Sequence, residues 1–491
     1  MPGGALSLDL EDVFRIAQQS GREYLNAEED YLLAAIRLLI ERHLWGPRFF
    51  DDVTTTFSGQ RLSGVGYQSA VNVMNELRLT QRLPYGGNVE ARLVTQAAQQ
   101  LTAIVGDAYT QSSQLILSAN VPLLRNAGKI AQENLIQAER DLIYAARDFE
   151  AFRRGFLVDI ARDYFNLIAQ QSAIENQVDR LDSVIEFRKQ TDALVEAGRE
   201  SPFQARNIEQ NVLTSQNALI NSREGFILAK DRFKIRLGLP VETPMTLEPI
   251  SLDLEDPEVT VEEAARAALE YRLDYQNEMD QLNDAKRSVT NAKNQLLPDL
   301  TLNASTTLRT NTGAQVGGLD FDLDDTSYNA GITFGLPLDR EIERLQLRQS
   351  LINLLRQKRN LDQFRDNVVL ESRAAVREID RARFSIRLQE QAVKINERRL
   401  EEIRIKADTA TPQERLDAEN ELLGARNDRD ASLRDLRTAI LDFLRLTGQL
   451  RVTEVGQLRP LTGMVYRIEG RMNTEPGEDE PKDTDAENEG G

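Results

Sequence analysis

The 491-residue chain has no cysteine, one histidine and one tryptophan. Without thiols there is no disulfide scaffold, thiolate zinc site or cysteine nucleophile. The lone histidine, His43 in "ERHLWGP", sits at a predicted helix end beside Trp45. No nucleophile, base and orienting partner can be assembled around it, so catalysis is not expected. The acidic residues are scattered along helices as a solvated face, so neither a metal site nor any cofactor is expected. No run of about 18 apolar residues occurs, which excludes a membrane-spanning helix. Basic residues are outnumbered 60 to 79, for a net charge of −19, which argues against a nucleic-acid partner. The opening "MPGGALSLDL" lacks a basic region followed by an apolar stretch. The expectation is a protein that is not exported, or one whose signal peptide has been removed. The tail, 473–491, has eight acids and one lysine and no large apolar side chain, so disorder is expected there.

What is present is a plan written twice. "LSLDLEDVFRIA" from Leu6 resembles "VTVEEAARAALE" from Val259. The shift that places Leu8 on Val259 also carries Asn26 onto Asn277 and Pro47 onto Pro298. "NVPLLRNAG" resembles "GLPLDREIE", and "ESPFQARNIEQN" resembles "ATPQERLDAEN". The shift relating Pro202 to Pro412 also relates Gly238 to Gly448. Landmarks in one order with shared spacings indicate internal duplication.

Each copy begins with a predicted helix of roughly 36 residues, Asp9–Leu44 and Val261–Leu296, longer than the usual 8 to 20. A polar, alternating region follows, then a helix of about 65–70 residues, Asn126–Glu196 and Asp339–Lys406, reaching about 100 Å. A proline turn and a further helix of about 35 residues complete each copy, so each suggests a rod two helices wide. Leu135, Leu142, Phe149 and Phe156 recur every seven residues, as do Leu347, Leu354, Leu361 and Val368. That period implies helices wrapping on neighbours in a left-handed sense. Ordinary soluble helical bundles share the pattern.

Between Pro298 and Pro337 the helical period vanishes. Leu300, Leu302, Ala304, Thr306 and Leu308 alternate with Thr301, Asn303, Ser305, Thr307 and Arg309. Tyr328, Ala330, Ile332, Phe334 and Leu336 alternate with small or polar residues. One apolar and one polar face fit a soluble sheet; they also fit membrane-barrel strands. Val53–Ser58 and Leu115–Val121 hold the equivalent places in the first copy, and the stretch 71–95 between them reads as an additional hairpin around "PYGG". One chain thus supplies four strands, or six if that hairpin joins the sheet. Closed spanning barrels need about eight or more, so several copies would have to close one barrel. Trp45 and Phe49–Phe50 are candidates for an aromatic girdle, with local packing as the alternative.

The order helix, hairpin, "PL" junction, long helix, turn, helix, given twice, resembles the TolC-like outer membrane efflux proteins. The resemblance rests on "NVPLLRNAG", "GLPLDREIE", "LLPDLTLNAS" and "RLDAENELLGARND" and covers about residues 6–450. It implies a mainly α protein with membrane β: duplicated long-helix coiled coils forming an α-helical barrel, plus β-hairpins contributing to a shared outer-membrane β-barrel. It implies a homotrimeric channel-tunnel that exports small molecules or proteins with a periplasmic adaptor (membrane fusion) protein and an inner-membrane transporter, its barrel embedded in outer-membrane lipid. The implied parts are a first repeat 6–238 with its hairpin region 47–122, a connector 239–260, a second repeat 261–448 with its hairpin 298–337, an equatorial segment 449–472 and the tail 473–491. The lipid-facing set would be Leu300, Leu302, Leu308, Tyr328, Ile332 and Phe334. The adaptor-contacting tip would comprise Gly198, Arg199, Ser201, Pro202, Asp408, Ala410, Thr411 and Pro412. Glu414 and Asp417 would line the periplasmic gate, where the first copy has neutral Gln204 and Asn207. Three features depart from the family pattern: no signal peptide, the additional hairpin, and Asp408 where such turns often have glycine.

From the residues alone, both proline turns also read as capping boxes, Ser201 with Gln204 and Thr411 with Glu414. The acidic pair at the second restart could equally stabilise its own helix through the macrodipole. A soluble coiled-coil scaffold or interaction protein is the competing functional class.

Overall fold

The structure is a computed structural model. It describes residues 6–62, 66–101, 109–248, 257–310, 318–406, 411–453, 458–461, 467–468 and 471–472. Asp408, Ala410 and the tail 473–491 lie outside the described residues. The chain opens with β1 (Leu6–Leu8), α1 (Leu10–Ser20) and α2 (Arg22–Trp45), then β2 (Arg48–Leu62), β3 (Gly66–Arg82), β4 (Asn88–Gln100) and β5 (Tyr109–Pro122). Next come α3 (Glu133–Glu196), α4 (Pro202–Leu237), β6 (Met245–Leu247), α5 (Val261–Tyr271) and α6 (Leu273–Asn294). The second hairpin is β7 (Asp299–Thr310) and β8 (Phe321–Gly335), followed by α7 (Glu341–Ile405), α8 (Pro412–Leu446), β9 (Leu450–Val452) and β10 (Leu458–Pro460).

The long helices are present, at 64 residues for α3 and 65 for α7. The single opening helix expected in each copy is instead two helices. The breaks fall at Gly21 and Arg272, equivalent positions of the duplication, and both residues have extended backbone. A Cβ at Gly21 would lie 2.3 Å from the Ala17 carbonyl oxygen, so glycine is required there. At the second break Arg272 instead anchors itself on Asp274 at 2.7 Å and on Glu371 at 2.5 Å. The apolar period runs through both breaks, so periodicity alone does not reveal them.

The chain divides into two compact units, and each takes segments from both copies. One unit comprises residues up to Ala27, Glu150–Tyr275 and the chain from Phe364. Leu8, Val13, Phe14, Leu157, Ile160, Tyr164, Leu237, Leu441 and Leu450 of this unit are all almost fully buried. β1 pairs in parallel with β6. The Tyr164 hydroxyl donates to the Glu248 carbonyl and, at 3.4 Å, to that of Leu8. Burial pushes that phenol up to about 12.

The duplicated glycines explain themselves here. Gly238 and Gly448 end α4 and α8 in the left-handed conformation, at φ 77° and 71°. A Cβ on Gly238 would sit 1.9 Å from the Ser20 carbonyl oxygen, and one on Gly448 would sit 2.6 Å from the Tyr271 carbonyl. Ser20 and Tyr271 immediately precede the two breaks. In both copies, therefore, a helix end docks backbone to backbone on a helix break, and only glycine fits.

The other unit comprises Glu28–Phe149 and Gln276–Gln363. Among its described residues six strands form one antiparallel sheet in the order β2-β3-β4-β5-β7-β8. The additional hairpin, β3–β4, lies inside that sheet, and β5 pairs with β7 to join the two copies. The helices follow the same order. α2 meets α3 through stacked Tyr31 and Phe149 (centroids 5.8 Å apart) and Arg42–Glu139 at 3.4 Å. α3 meets α6 through Arg147–Asp280 and Arg287–Glu133, both 2.8 Å. α6 meets α7 through Gln357 and Glu278 at 3.0 Å.

Candidate channel wall and helical turns

A strand places alternate side chains on opposite faces, so the register decides what each face of the six-stranded sheet presents. In the second copy Leu300 pairs with Phe334, Leu302 with Ile332, Ala304 with Ala330 and Thr306 with Tyr328. Across the junction Leu302 pairs with Val121, Ala304 with Ala119 and Leu308 with Leu115. Leu115 then pairs with Leu93, and Leu117 with Ala91. Leu93 pairs with Leu77, Ala91 with Leu79, and Leu77 and Val71 face Asp51 and Phe57 on β2. One face is therefore predominantly apolar across all six strands. The opposite face carries Thr301, Asn303, Thr333, Asn329, Ser118, Asn120, Gln96, Asn72 and Thr56, and is predominantly polar, with Ile116, Val94, Met74 and Phe50 among these residues.

The predicted lipid-facing residues thus fall on one face: Leu300, Leu302, Leu308, Tyr328, Ile332 and Phe334. On the outermost strand they are open, with Tyr328 88%, Ile332 67% and Phe334 61% exposed. On the other outermost strand, unpredicted by those positions, Phe49, Val53 and Phe57 are exposed to the same degree. β2 and β8 are each 15 residues long, and each has one edge with no strand beside it among the described residues.

The foot of the sheet corrects the aromatic expectation. Phe49 and Phe50 are neighbours in β2, so they point to opposite faces. Phe49 joins the apolar face, whereas Phe50 lies between the Arg48 and Arg78 guanidinium groups at 5.4 and 5.2 Å. The two do not form one girdle. The "PYGG" turn is tied to the approach to α3: the Tyr85 carbonyl accepts from Gly128 N–H and the Pro84 carbonyl from Gln132, both at 2.8 Å. A Cβ on Gly87 would fall 1.8 Å from the Asn120 carbonyl oxygen, so this turn also needs its glycine.

The helical turns are built differently from each other. α3 ends at Gly198, left-handed at φ 71°, with the Arg199 N–H donating to the Leu194 carbonyl at 2.9 Å. Ser201 then caps α4 by accepting from Phe203 N–H at 3.2 Å, with Pro202 at the first helical position. Gln204 does not reciprocate, and its buried Oε1 has no hydrogen-bond partner among the described residues. The first turn is therefore a simple cap, not the capping box its sequence suggests. The second is a complete box: Thr411 Oγ1 accepts from Glu414 N–H at 3.3 Å, and the Glu414 carboxylate accepts from Thr411 N–H at 2.8 Å. The Thr411 N–H, first, and the Thr411 hydroxyl, which also donates to the carboxylate at 3.0 Å, hold the exposed Glu414 carboxyl below the usual range. Asp417 accepts from Gln413 at 2.9 Å. A matching box at Thr260 and Glu263, missed in the sequence, starts α5; its signal was the same four-residue pattern.

Beside the turns, Leu416 of α8 is buried against Val184 and Phe187 of α3 and Ile208 and Val212 of α4. Arg415 lies over the Phe187 ring at 4.3 Å and donates to Gln190 at 2.9 Å. Desolvation lowers its pKa. The helix that carries Glu414 is therefore fixed to the turn of the other copy.

No family model matches this sequence, and no curated protein matches it. Solved structures do. The outer membrane channel CmeC of Campylobacter jejuni matches with a TM-score of 0.67 at 14% identity, over 89% of this chain and 85% of CmeC. The outer-membrane channel OprN gives 0.67 at 14%, over 89% of each chain. The outer membrane protein VceC of Vibrio cholerae gives 0.66 at 17%, over 89% of this chain and 96% of VceC. The chain has the TolC-like fold of these proteins: long helices and a sheet left open within one copy.

Proposed function

We propose that this protein is an outer-membrane channel-tunnel whose wall is closed by several copies, three by the resemblance. The observation that carries this reading is the six-stranded sheet, predominantly apolar on one face, predominantly polar on the other and, among the described residues, open at both edges. In lipid an open edge leaves unpaired backbone groups, each costing several kcal/mol, so β8 of one copy pairs with β2 of the next. The helices support the same assembly. Leu25, Leu32 and Leu39 of α2 and Leu213, Ile220 and Ile227 of α4 recur every seven residues and are exposed in the single chain. Seams of that spacing are made to be covered by further helices.

In this reading the two turns meet a periplasmic adaptor, and an inner-membrane transporter supplies cargo and energy. Gly198, Arg199, Ser201, Pro202, Asp408, Ala410, Thr411 and Pro412 form the tip. Glu414 and Asp417 ring the entrance, with Glu414 also serving as a cap and Asp417 supplying the charge not taken up by Thr411. The purified protein in a planar bilayer tests the channel. Stable single-channel currents are expected, with cation preference reduced by Asp417→Asn. A protein that purifies without detergent and gives no currents would instead support the soluble scaffold.

A further inference from the structure

We infer that the foot of the additional hairpin is a binding site for a small, soluble phosphate ester. The inference rests on the channel reading only for where that solute comes from, the water-filled side of the sheet.

A pocket of about 430 Å³ opens where the end of α2, the start of β2 and the β3–β4 turn meet. Trp45, Arg48, Thr80 and Arg82 supply polar groups to its lining, and Leu83 and Ala131 supply apolar ones. Arg48 and Thr80 are ladder partners, so they share the polar face of the sheet, and Arg82 follows Thr80 by two residues on that face. Three donors here are left unmade. The Trp45 Nε1, the Arg48 Nε and the Thr80 Oγ1 are buried with no hydrogen-bond partner among the described residues. Buried polar groups are ordinarily paired, so three together in one pocket point to a ligand. An indole and a guanidinium can only donate, so the ligand must accept. One water accepts two hydrogen bonds, whereas a phosphate group turns several oxygens toward its site.

The charges point the same way. Arg48 lies over the Phe50 ring at 5.4 Å and has no carboxylate partner among the described residues. Arg82 pairs only loosely with Glu41, at 3.7 Å, beyond hydrogen-bonding distance. Both guanidinium forks therefore keep donors for an oxyanion, whose geometry they match. The volume is far above the roughly 30 Å³ of a water and within the range of small-molecule sites. The Trp45 ring, Leu83 and Ala131 give the carbon skeleton of an ester its contacts. The walls are set beforehand: Leu83 N–H donates to the Gly87 carbonyl at 3.0 Å, Gly86 N–H to the Leu83 carbonyl at 2.9 Å, and the turn is fastened to the segment before α3 as described above. Binding to such a site costs little ordering.

The second copy shows what this pocket requires. The shift that carries Pro47 onto Pro298 puts Leu296 at the place of Trp45 and Asp299 at the place of Arg48. Asp299 is answered by Arg125 at 3.5 Å, and among the described residues no hairpin corresponds there to β3–β4. The donors thus belong to the first copy alone, as the hairpin does. A lipid headgroup offers the same phosphate chemistry. Arg48 and Thr80, however, lie on the face opposite Phe49 and Leu79, which favours a solute from the water side.

Trp45 is the only tryptophan in the chain, so its fluorescence reports on this pocket directly. The full chain in an uncharged detergent is titrated with glucose 6-phosphate, with glucose, and with mixed micelles containing phosphatidylglycerol. A saturable change is expected with glucose 6-phosphate and none with glucose. Arg48→Gln should weaken the binding about ten-fold or more, and Thr80→Val about three- to ten-fold. Arg309→Gln, on the polar face of β7, should leave it unchanged. No response, an equal response to glucose, or an unchanged affinity in both Arg48→Gln and Thr80→Val would overturn the inference. A response to the lipid micelles alone would also overturn it, by placing the phosphate in the membrane. The titration needs no channel, so the two readings fail separately: protein that binds the ester yet carries no current in a bilayer would sink the channel reading and leave the site standing.

Discussion

The two copies of the plan agree where backbones touch and differ where they face something else. Both copies keep a helix break, at Gly21 and Arg272, and both seat a left-handed glycine on it, Gly238 and Gly448. The first copy alone has a second hairpin, and the second alone has a complete, acidic capping box. Duplication therefore preserved the joints that no other residue can fill, while the copies diverged in strand number and in charge at the turn. That division follows from sterics: a clash of backbone atoms leaves no alternative to glycine, whereas a cap or an extra ladder pair has several solutions.

The sharpest way to break the comparison is at the shared joints. Gly238→Ala and Gly448→Ala should each cost about 2–5 kcal/mol, the left-handed penalty plus overpacking. Gly198→Ala should cost only about 1–2 kcal/mol, because its left-handed backbone is strained but nothing lies within 4 Å of its added Cβ. Denaturation midpoints of the three variants measure this, and equal losses would mean the docking is not close in solution.

The sheet faces come next. Leu302→Arg or Ile332→Arg should cost about 2–4 kcal/mol near the membrane midplane, and Asn303→Arg or Thr333→Arg much less. Leu79→Arg and Leu93→Arg extend the comparison to the hairpin that only the first copy has; a small effect there, by folding into lipid vesicles, would place that hairpin outside the membrane. The turns differ more gently. Thr411→Ala should cost about 1 kcal/mol and Ser201→Ala somewhat less, since only the former dismantles a reciprocal box. Amide exchange over the first turns of α8 and α4 reports the difference.

The smallest effect is a pH dependence confined to the second turn. Folding depresses the Glu414 pKa, so its stabilisation is present in full above the ordinary carboxylate range and is lost as pH falls through the depressed value. The start of α8 should therefore loosen on acidification while the start of α4 does not. Glu414→Gln should remove most of that difference, and an unchanged profile would mean the cap is not made through the carboxylate.

Much of this was legible in the sequence because it is periodic. Seven-residue seams such as Leu347, Leu354, Leu361 and Val368, and the alternation at Leu300–Leu308, each report a face directly. The breaks at Gly21 and Arg272 were hidden because the apolar stripe continues across them. The place of the additional hairpin was hidden because alternation fixes a strand's faces but not its neighbours. Phe49 and Phe50 read as one aromatic patch until their strand separated them onto two faces. Gln204 matched the box pattern yet does not bond, because a residue pattern permits a cap without positioning its side chain.

The central claim is that one chain is a fraction of a channel wall. Native mass spectrometry of the detergent-solubilised protein tests it most directly. The account predicts a particle of three 55.5 kDa chains that survives dilution. A stable monomer or dimer would contradict it, since neither the edges of β2 and β8 nor the exposed seams of α2 and α4 would then be closed.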